Sequence, residues 1–306
     1  MHSDKNFKEL LNASLKSRDT EEKIDIIFFR PLGLRLALFA QRAGITPNEI
    51  TIFSFFSGIL AGHLFYYNNV YINIIGVILL VSSGIMDSAD GQLARMTNSC
   101  TRIGRVLDGV AGYLWFVSIY FHLFLRFVHT QGSPLFYTLF VMGMISHSIQ
   151  SAMADYYRNA HLLFVFNKGD FENFEDVKNE YNENKSTISF FNRIFTWFYV
   201  HYTMEQELLT KNLQVFKKYY VEKFGGKLPE KLKHEYRAMS LPLQKYCNGL
   251  TLNFRFYMIY LTVFLNNIYI LLFFEAVFLN IMLVQLILRH EAGCRKLNII
   301  IENEIT

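Results

Sequence analysis

Three aspartates stand at fixed intervals among small residues in a stretch that is otherwise apolar: Asp87-x2-Asp90-Gly91-x2-Ala94-Arg95-x8-Gly104-x3-Asp108. Carboxylates in or beside lipid are costly unless a cation or a partner neutralises them. At about 100° per residue, Asp87, Asp90, Gly91 and Ala94 fall within one helical stripe roughly 100° wide. Both acids therefore point the same way beside two residues with almost no side chain, a shape for a ligand. The helices that must hold them follow from the apolar pattern. Runs long enough to cross a ~30 Å hydrocarbon core, which takes about 20 residues, lie near 50–67, 70–93, 104–125, 134–157, 250–267 and 269–289.

The spacing resembles that of the CDP-alcohol phosphatidyltransferase family, whose pattern is Asp-x2-Asp-Gly-x2-Ala-Arg-x8-Gly-x3-Asp-x3-Asp. The chain departs from it at Gly112, where the family has its fourth aspartate and usual general base. Thr46-Pro47-Asn48, just ahead of the first span, is an element that many members share. The resemblance implies a phosphotransferase of phospholipid biosynthesis, moving a substituted phosphate from a CDP-linked donor to an alcohol acceptor and releasing CMP. It implies that Asp87, Asp90 and Asp108 are catalytic and hold Mg²⁺ or Mn²⁺. Gly91, Ala94 and Gly104 then line the substrate site, and Arg95 pairs with a phosphate or serves as a topological anchor.

The acceptor is a polyol, a polyol phosphate or a lipid alcohol, and the sequence does not decide whether the lipid is donor or acceptor. Arg158 and Arg255, at the cytoplasmic ends of the fourth and fifth spans, are candidates for an acceptor phosphate; equally, they are anchors. For the missing base the expected substitute is Asp155, with His147, about 12 Å deeper on the same helix, as the alternative. Membrane lipids are expected partners, and the resemblance adds a homodimer. Two other readings stand beside the transferase: a catalytically degenerate relative, because Gly112 cannot act as a base, and an ion-coupled transporter. Against the transporter, the acids cluster near the cytoplasmic side and no span is broken by paired helix breakers.

The 306 residues are 52 % hydrophobic and 16 % aromatic, yet mean hydropathy is only +0.18, so apolar stretches must alternate with polar ones. The net charge of +4 sits in membrane-flanking loops without a nucleic-acid-binding motif, which points to topology and anionic headgroups and not to nucleic acid. Cys100, Cys247 and Cys294 form no C-x-x-C pair and are expected to be free thiols; the histidines lack H-E-x-x-H spacing, which leaves no zinc-hydrolase case. Basic residues flank the same side of every span, so both termini of this multi-pass protein are expected in the cytoplasm. Residues 1–25 are polar, and no cleavable signal peptide is visible there.

The expected fold is all-α: a six-helix transmembrane bundle with an N-terminal interfacial helix and a cytoplasmic insertion. Residues 1–48 form the N-terminal segment, in which 26–43 mix apolar residues with Arg30, Arg35 and Arg42 and read as an amphipathic helix in the interface. Thr46-Pro47-Asn48-Glu49 reads as a capping box that starts the first span. Residues 49–164 carry four spans and the motif, 165–248 the insertion, and 249–306 the last two spans and the tail. The fourth span has a polar stripe, with His147, Ser151 and Asp155 at i, i+4, i+8, expected to face the bundle interior.

Overall fold

Local signals in the sequence set where the helices begin and end. The computed structural model describes residues 2–15, 17–169, 174–184 and 190–303; the side chains of 2–6, 102, 103, 105–111, 176, 180, 184, 190–192, 194, 195, 197 and 198 lie outside that description. Among the described residues the fold is all-α, and two helices, Val70–Met96 and Tyr269–Asn303, are long and apolar enough to cross a membrane. Of the six expected spans, that criterion picks out the second and the sixth. The chain divides into two compact units, Met1–Tyr137 with Tyr257–Leu271 and Thr138–Phe256 with Leu272–Thr306.

The first unit begins with α1 (His2–Ser14), a π-helical turn Asp25–Phe29 and α2 (Arg30–Ala43). Pro31 has no N–H to donate and its ring crowds the preceding carbonyls, so a widened turn just before it fits. Gly44 at φ 72° ends α2 in a left-handed cap. The expected capping box is present at the start of α3 (Pro47–Leu64): the Glu49 N–H donates to the Thr46 hydroxyl, and Glu49 accepts from the Thr46 N–H at 2.7 Å. Those bonds from Thr46 hold the Glu49 carboxyl below the usual carboxylate range. Asn69 caps α4 (Val70–Met96), accepting from Tyr71 N–H at 2.9 Å, and Thr101 caps α5 (Arg102–Gln131), accepting from Gly104 N–H at 2.9 Å.

Small residues let these helices touch. A Cβ on Gly62 would lie 2.6 Å from Ser118 Oγ and 2.8 Å from the Ile119 nitrogen, and one on Gly58 would run into the Trp115 ring. The stripe of Ser54, Gly58 and Gly62 is thus the face α3 turns to α5. The buried side of α2, Gly33, Leu34, Ala37 and Ala40, packs with Ile50 of α3 and with Ala89 and Leu93 of α4. At the far end, Arg126 of α5 ties the tight turns together. It donates to Phe65 O (3.0 Å), Asn68 Oδ1 (3.0 Å), Val263 O (3.1 Å) and Asn266 Oδ1 (2.8 Å).

The division between units runs through α6 (Pro134–Phe166). In the second unit the insertion forms α7 (Phe174–Asn184), α8 (Phe190–Leu208), α9 (Lys211–Glu222), α10 (Glu230–Ser240) and α11 (Gln244–Gly249). α12 (Leu252–Leu265) and α13 (Tyr269–Phe273) follow, then a π-helical turn Phe274–Phe278 and α14 (Leu279–Asn303). The insertion shares a core with two long helices, where Leu213, Phe216, Tyr220 and Tyr236 pack with Phe164 of α6 and Cys294 and Leu297 of α14. The Glu291 carboxylate caps α9, accepting from Asn212 N–H at 2.6 Å and Leu213 N–H at 3.3 Å. Most aromatic side chains between Phe190 and Tyr202 lie outside the described residues. All three cysteines are free thiols, and burial pushes the Cys247 thiol up to about 12.

Candidate active site

Position along α4 decides what each residue of the acidic motif faces. The turn Ser88 to Leu93 is largely enclosed: Ser88, Ala89, Asp90, Gln92 and Leu93 are buried, whereas Asp87, Gly91, Ala94 and Arg95 are half-buried. The partly open stripe of Asp87, Gly91 and Ala94 thus runs along one side of the helix, with Asp90 at its edge toward α3. Asp90 is 5 % exposed, and its Oδ2 lies 2.6 Å from the Thr51 hydroxyl, which donates to it. A bond that short to a carboxylate is charge-assisted and fixes the carboxylate's rotation.

The other flank of α4 faces the N-terminal segment. Gln92 Nε2 donates to Ser14 Oγ at 2.9 Å, and Arg95 Nε donates to the Ser14 carbonyl at 2.6 Å. The guanidinium of Arg95 folds back over Gly91, where a Cβ would sit 3.3 Å from Nη1. Its Nη2 is buried and finds no hydrogen-bond partner among the described residues. Arg30 donates from Nε and Nη2 to the two oxygens of Glu21, at 2.9 and 3.1 Å, and from Nη1 to Ser88 Oγ at 3.3 Å. Burial works to lower the pKa of Arg30, and the carboxylates around it, Glu21 first and then Asp25 and Asp87, together more than offset it and hold the guanidinium above its usual range.

The remaining predicted residues are distributed as follows. Asp108 lies on α5, but its side chain is outside the described residues. Gly104, at the start of α5, is close to the Thr-Pro-Asn element: a Cβ there would lie 3.5 Å from Asn48 Oδ1. At Gly112 an added Cβ meets nothing within 4 Å among the described residues, so none of these crowds out an acid at this position. In the second unit, Asp155 is exposed, accepts from the Tyr202 hydroxyl at 3.3 Å and has Arg158 Nη1 3.8 Å away. Arg158 donates from Nη2 to Asn248 Oδ1 at 3.0 Å, and its Nε is buried with no partner among the described residues.

Arg255, a candidate for an acceptor phosphate or an anchor, is enclosed and paired. It is 1 % exposed and paired with Glu275, itself fully buried, at 2.9 Å. Its Nη2 donates to Gln150 Oε1 at 2.6 Å and its Nη1 to the Leu250 carbonyl. His147 Nδ1 lies 4.0 Å from Glu275 Oε2. The polar stripe of α6 thus faces inward at His147 and Gln150, while Asp155 at its end is exposed.

Reading the sequence by motif missed Thr51, Ser88, Gln92, Ser14, Glu21 and Arg30. Ser88 and Gln92 stand at i, i+4 on the motif helix, a polar pair opposite the acids that signals a second packed flank.

Parts of the chain are similar to known proteins. A 105-residue segment is 35 % identical to "Archaetidylinositol phosphate synthase" of Pyrococcus horikoshii, covering 34 % of this chain and 54 % of that protein. An 82-residue segment is 29 % identical to "Putative cardiolipin synthase" of Mycobacterium bovis and of Mycobacterium tuberculosis, covering 27 % of this chain and 38 % of theirs. The chain thus spans about half, or less, of the length of these relatives. The CDP-alcohol phosphatidyltransferase family matches residues 44–163, the stretch that holds the capping box, the acidic motif and Asp155. Residues 44–163 of this chain are therefore a CDP-alcohol phosphatidyltransferase family domain.

Proposed function

We propose that the chain is a CDP-alcohol phosphotransferase of phospholipid biosynthesis, passing a substituted phosphate from a CDP-linked donor to an alcohol and releasing CMP. The observation that carries this reading is the motif helix of the family domain, on which Asp90 is anchored by Thr51 beside the half-open stripe of Asp87, Gly91 and Ala94. Carboxylate oxygens are hard ligands, so the donor set of Asp87 and Asp90 suits Mg²⁺ or Mn²⁺. Among the described residues no three His, Cys, Asp or Glu side chains are gathered for a metal, and Asp108 is assigned as third ligand by the motif alone. A divalent cation bound there would neutralise the donor diphosphate and stabilise the departing CMP oxygen. Gly91 and Ala94 keep the stripe low enough for a nucleotide, and Thr51 holds Asp90 in one rotamer.

A multi-pass placement in the membrane, with six spans and both termini cytoplasmic, accompanies this reading. It is supported by the two long apolar helices and by bare apolar side chains on others, such as Phe53 and Phe56 on α3 and Val117 and Phe121 on α5. For the acceptor phosphate, Arg158 is the better candidate, because its Nε lacks a partner among the described residues whereas Arg255 is committed to Glu275. The name of the archaeal relative favours a phosphorylated polyol headgroup, with a lipid alcohol as the other class to test.

The test is acceptor-dependent release of CMP from CDP-diacylglycerol and CDP-alcohols by the purified protein. Release is expected to stop on chelation and to return with Mg²⁺ or Mn²⁺. Undiminished turnover in excess chelator would remove the metal, and no release with any acceptor would favour a competing reading, a non-catalytic member lacking the acid at position 112 or an ion-coupled transporter.

The base is the second prediction. A placed general base contributes about 10²–10⁴-fold, so Asp155→Asn should cut turnover by roughly two orders of magnitude with donor binding nearly unchanged. Because no described residue crowds position 112, Gly112→Asp should restore most of that loss in the Asp155→Asn background. Wild-type turnover in Asp155→Asn means the proton goes elsewhere.

A further inference from the structure

The family domain begins at residue 44, yet the flank of the motif helix opposite Asp90 is packed by residues ahead of it. Gly33 makes this possible. A Cβ at that position would lie 2.7 Å from Gln92 Oε1 and 2.8 Å from Ser88 Oγ, so α2 approaches α4 closely beside the motif. Arg30, one turn earlier on α2, is thereby brought to the turn that contains Asp87.

Its guanidinium is held by one edge. Nε and Nη2 both go to Glu21, whose side chain is 5 % exposed, while Nη1 reaches Ser88, the neighbour of Asp87. Arg30 lies within electrostatic reach of Asp87 and of Arg95. Buried ion pairs of this kind are poor stabilisers, because desolvation takes back most of the attraction. The value of such a pair lies in where it holds charge. An unrestrained arginine here would be drawn to the carboxylates of Asp25 and Asp87 and compete with a cation for the latter. Bidentate pairing with Glu21 prevents it and leaves the Nη1 edge turned to the motif. The guanidiniums of Arg30 and Arg95, within electrostatic reach of each other, repel until an anion joins them.

We propose that Arg30, positioned by Glu21, is a phosphate-binding residue of this site that takes an oxygen of the donor's diphosphate. This rests on the transferase reading above. It makes the segment before the family domain a working wall of the site, with Glu21 as a positioning residue acting through Arg30.

The test is calorimetric binding of CDP, with cytidine as control, to the purified full chain in detergent with Mg²⁺. Arg30→Gln is expected to weaken CDP binding about tenfold or more, Arg30→Lys to recover part of it, and cytidine to bind all three alike. Because Arg30→Gln strands the Glu21 charge, Glu21→Gln/Arg30→Gln is measured alongside and should show the same loss. Glu21→Gln alone should raise the Mg²⁺ concentration needed for CDP binding, as the released Arg30 moves onto Asp87. A folded wild-type protein that binds no CDP defeats the transferase reading and this inference together. CDP affinity unchanged in Arg30→Gln, in a wild type that does bind CDP, overturns the role of Arg30 alone. An Arg30 effect seen only with anionic-lipid micelles reassigns the residue to headgroups and overturns it as well.

Discussion

Asp90→Asn is expected to lower acceptor-dependent CMP release by about 10³-fold or more while leaving the protein folded in detergent. The two halves of that expectation have separate causes. Asparagine keeps an oxygen for the Thr51 hydroxyl, now 2.6 Å from Asp90 Oδ2, so the contact between α3 and α4 survives. The charge is lost, however, and with it an anionic ligand for the cation that must face the donor diphosphate. Removing one of several nearby acids also relieves repulsion in the ligand-free protein, which favours folding. Thr51→Val should have the milder effect, about tenfold, because it frees the carboxylate to rotate without neutralising it. Turnover and thermal unfolding measured on the same preparations decide the matter. Asp90→Asn turning over within tenfold of the wild type would take Asp90 out of the site.

What the sequence could and could not reveal follows from how local each signal is. The capping box at Thr46 and Glu49 depends on neighbours a few residues apart, and it is where the pattern puts it. The small-residue stripe of α3 was legible for the same reason, since glycines four apart on a helix must mark one face. The flank of α4 that meets Ser14 and Arg30 was not legible. Those contacts join residues up to 81 positions apart through a segment with no motif of its own. The expected interfacial helix is in part a packed one: its small residues, Gly33, Ala37 and Ala40, lie against α4 and α3, while Ile27 and Phe39 stay exposed. Amphipathicity showed that one side is apolar without showing what that side touches. The surroundings of Arg255 were illegible for a different reason. Position along a span was read as depth, but burial depends on a partner, and the partner is a single acid twenty residues on.

That acid, Glu275, carries the last prediction. A lone carboxylate within an apolar run is costly unless paired, and here it is wholly buried with Arg255 at 1 % exposure and 2.9 Å away. The π-helical turn Phe274–Phe278 contributes to the same node. A wide turn leaves carbonyls short of partners, and side chains answer for two of them: Gln150 Nε2 donates to the Glu275 carbonyl at 3.0 Å, and Asn280 Nδ2 to that of Ala276 at 2.9 Å. Glu275→Leu would leave the Arg255 charge without its counter-ion in a dry environment, and the expected loss is about 3–5 kcal/mol of stability. Arg255→Met should cost a similar amount by stranding Glu275. The double variant Arg255→Met/Glu275→Leu should regain most of it, because an apolar pair of similar volume carries neither orphaned charge nor desolvation penalty. Denaturant unfolding of the four proteins in mixed micelles gives the coupling energy directly. Single losses below about 1 kcal/mol would mean that water reaches the pair, and a double variant no better than the singles would mean that the two charges are held by other groups and not by each other.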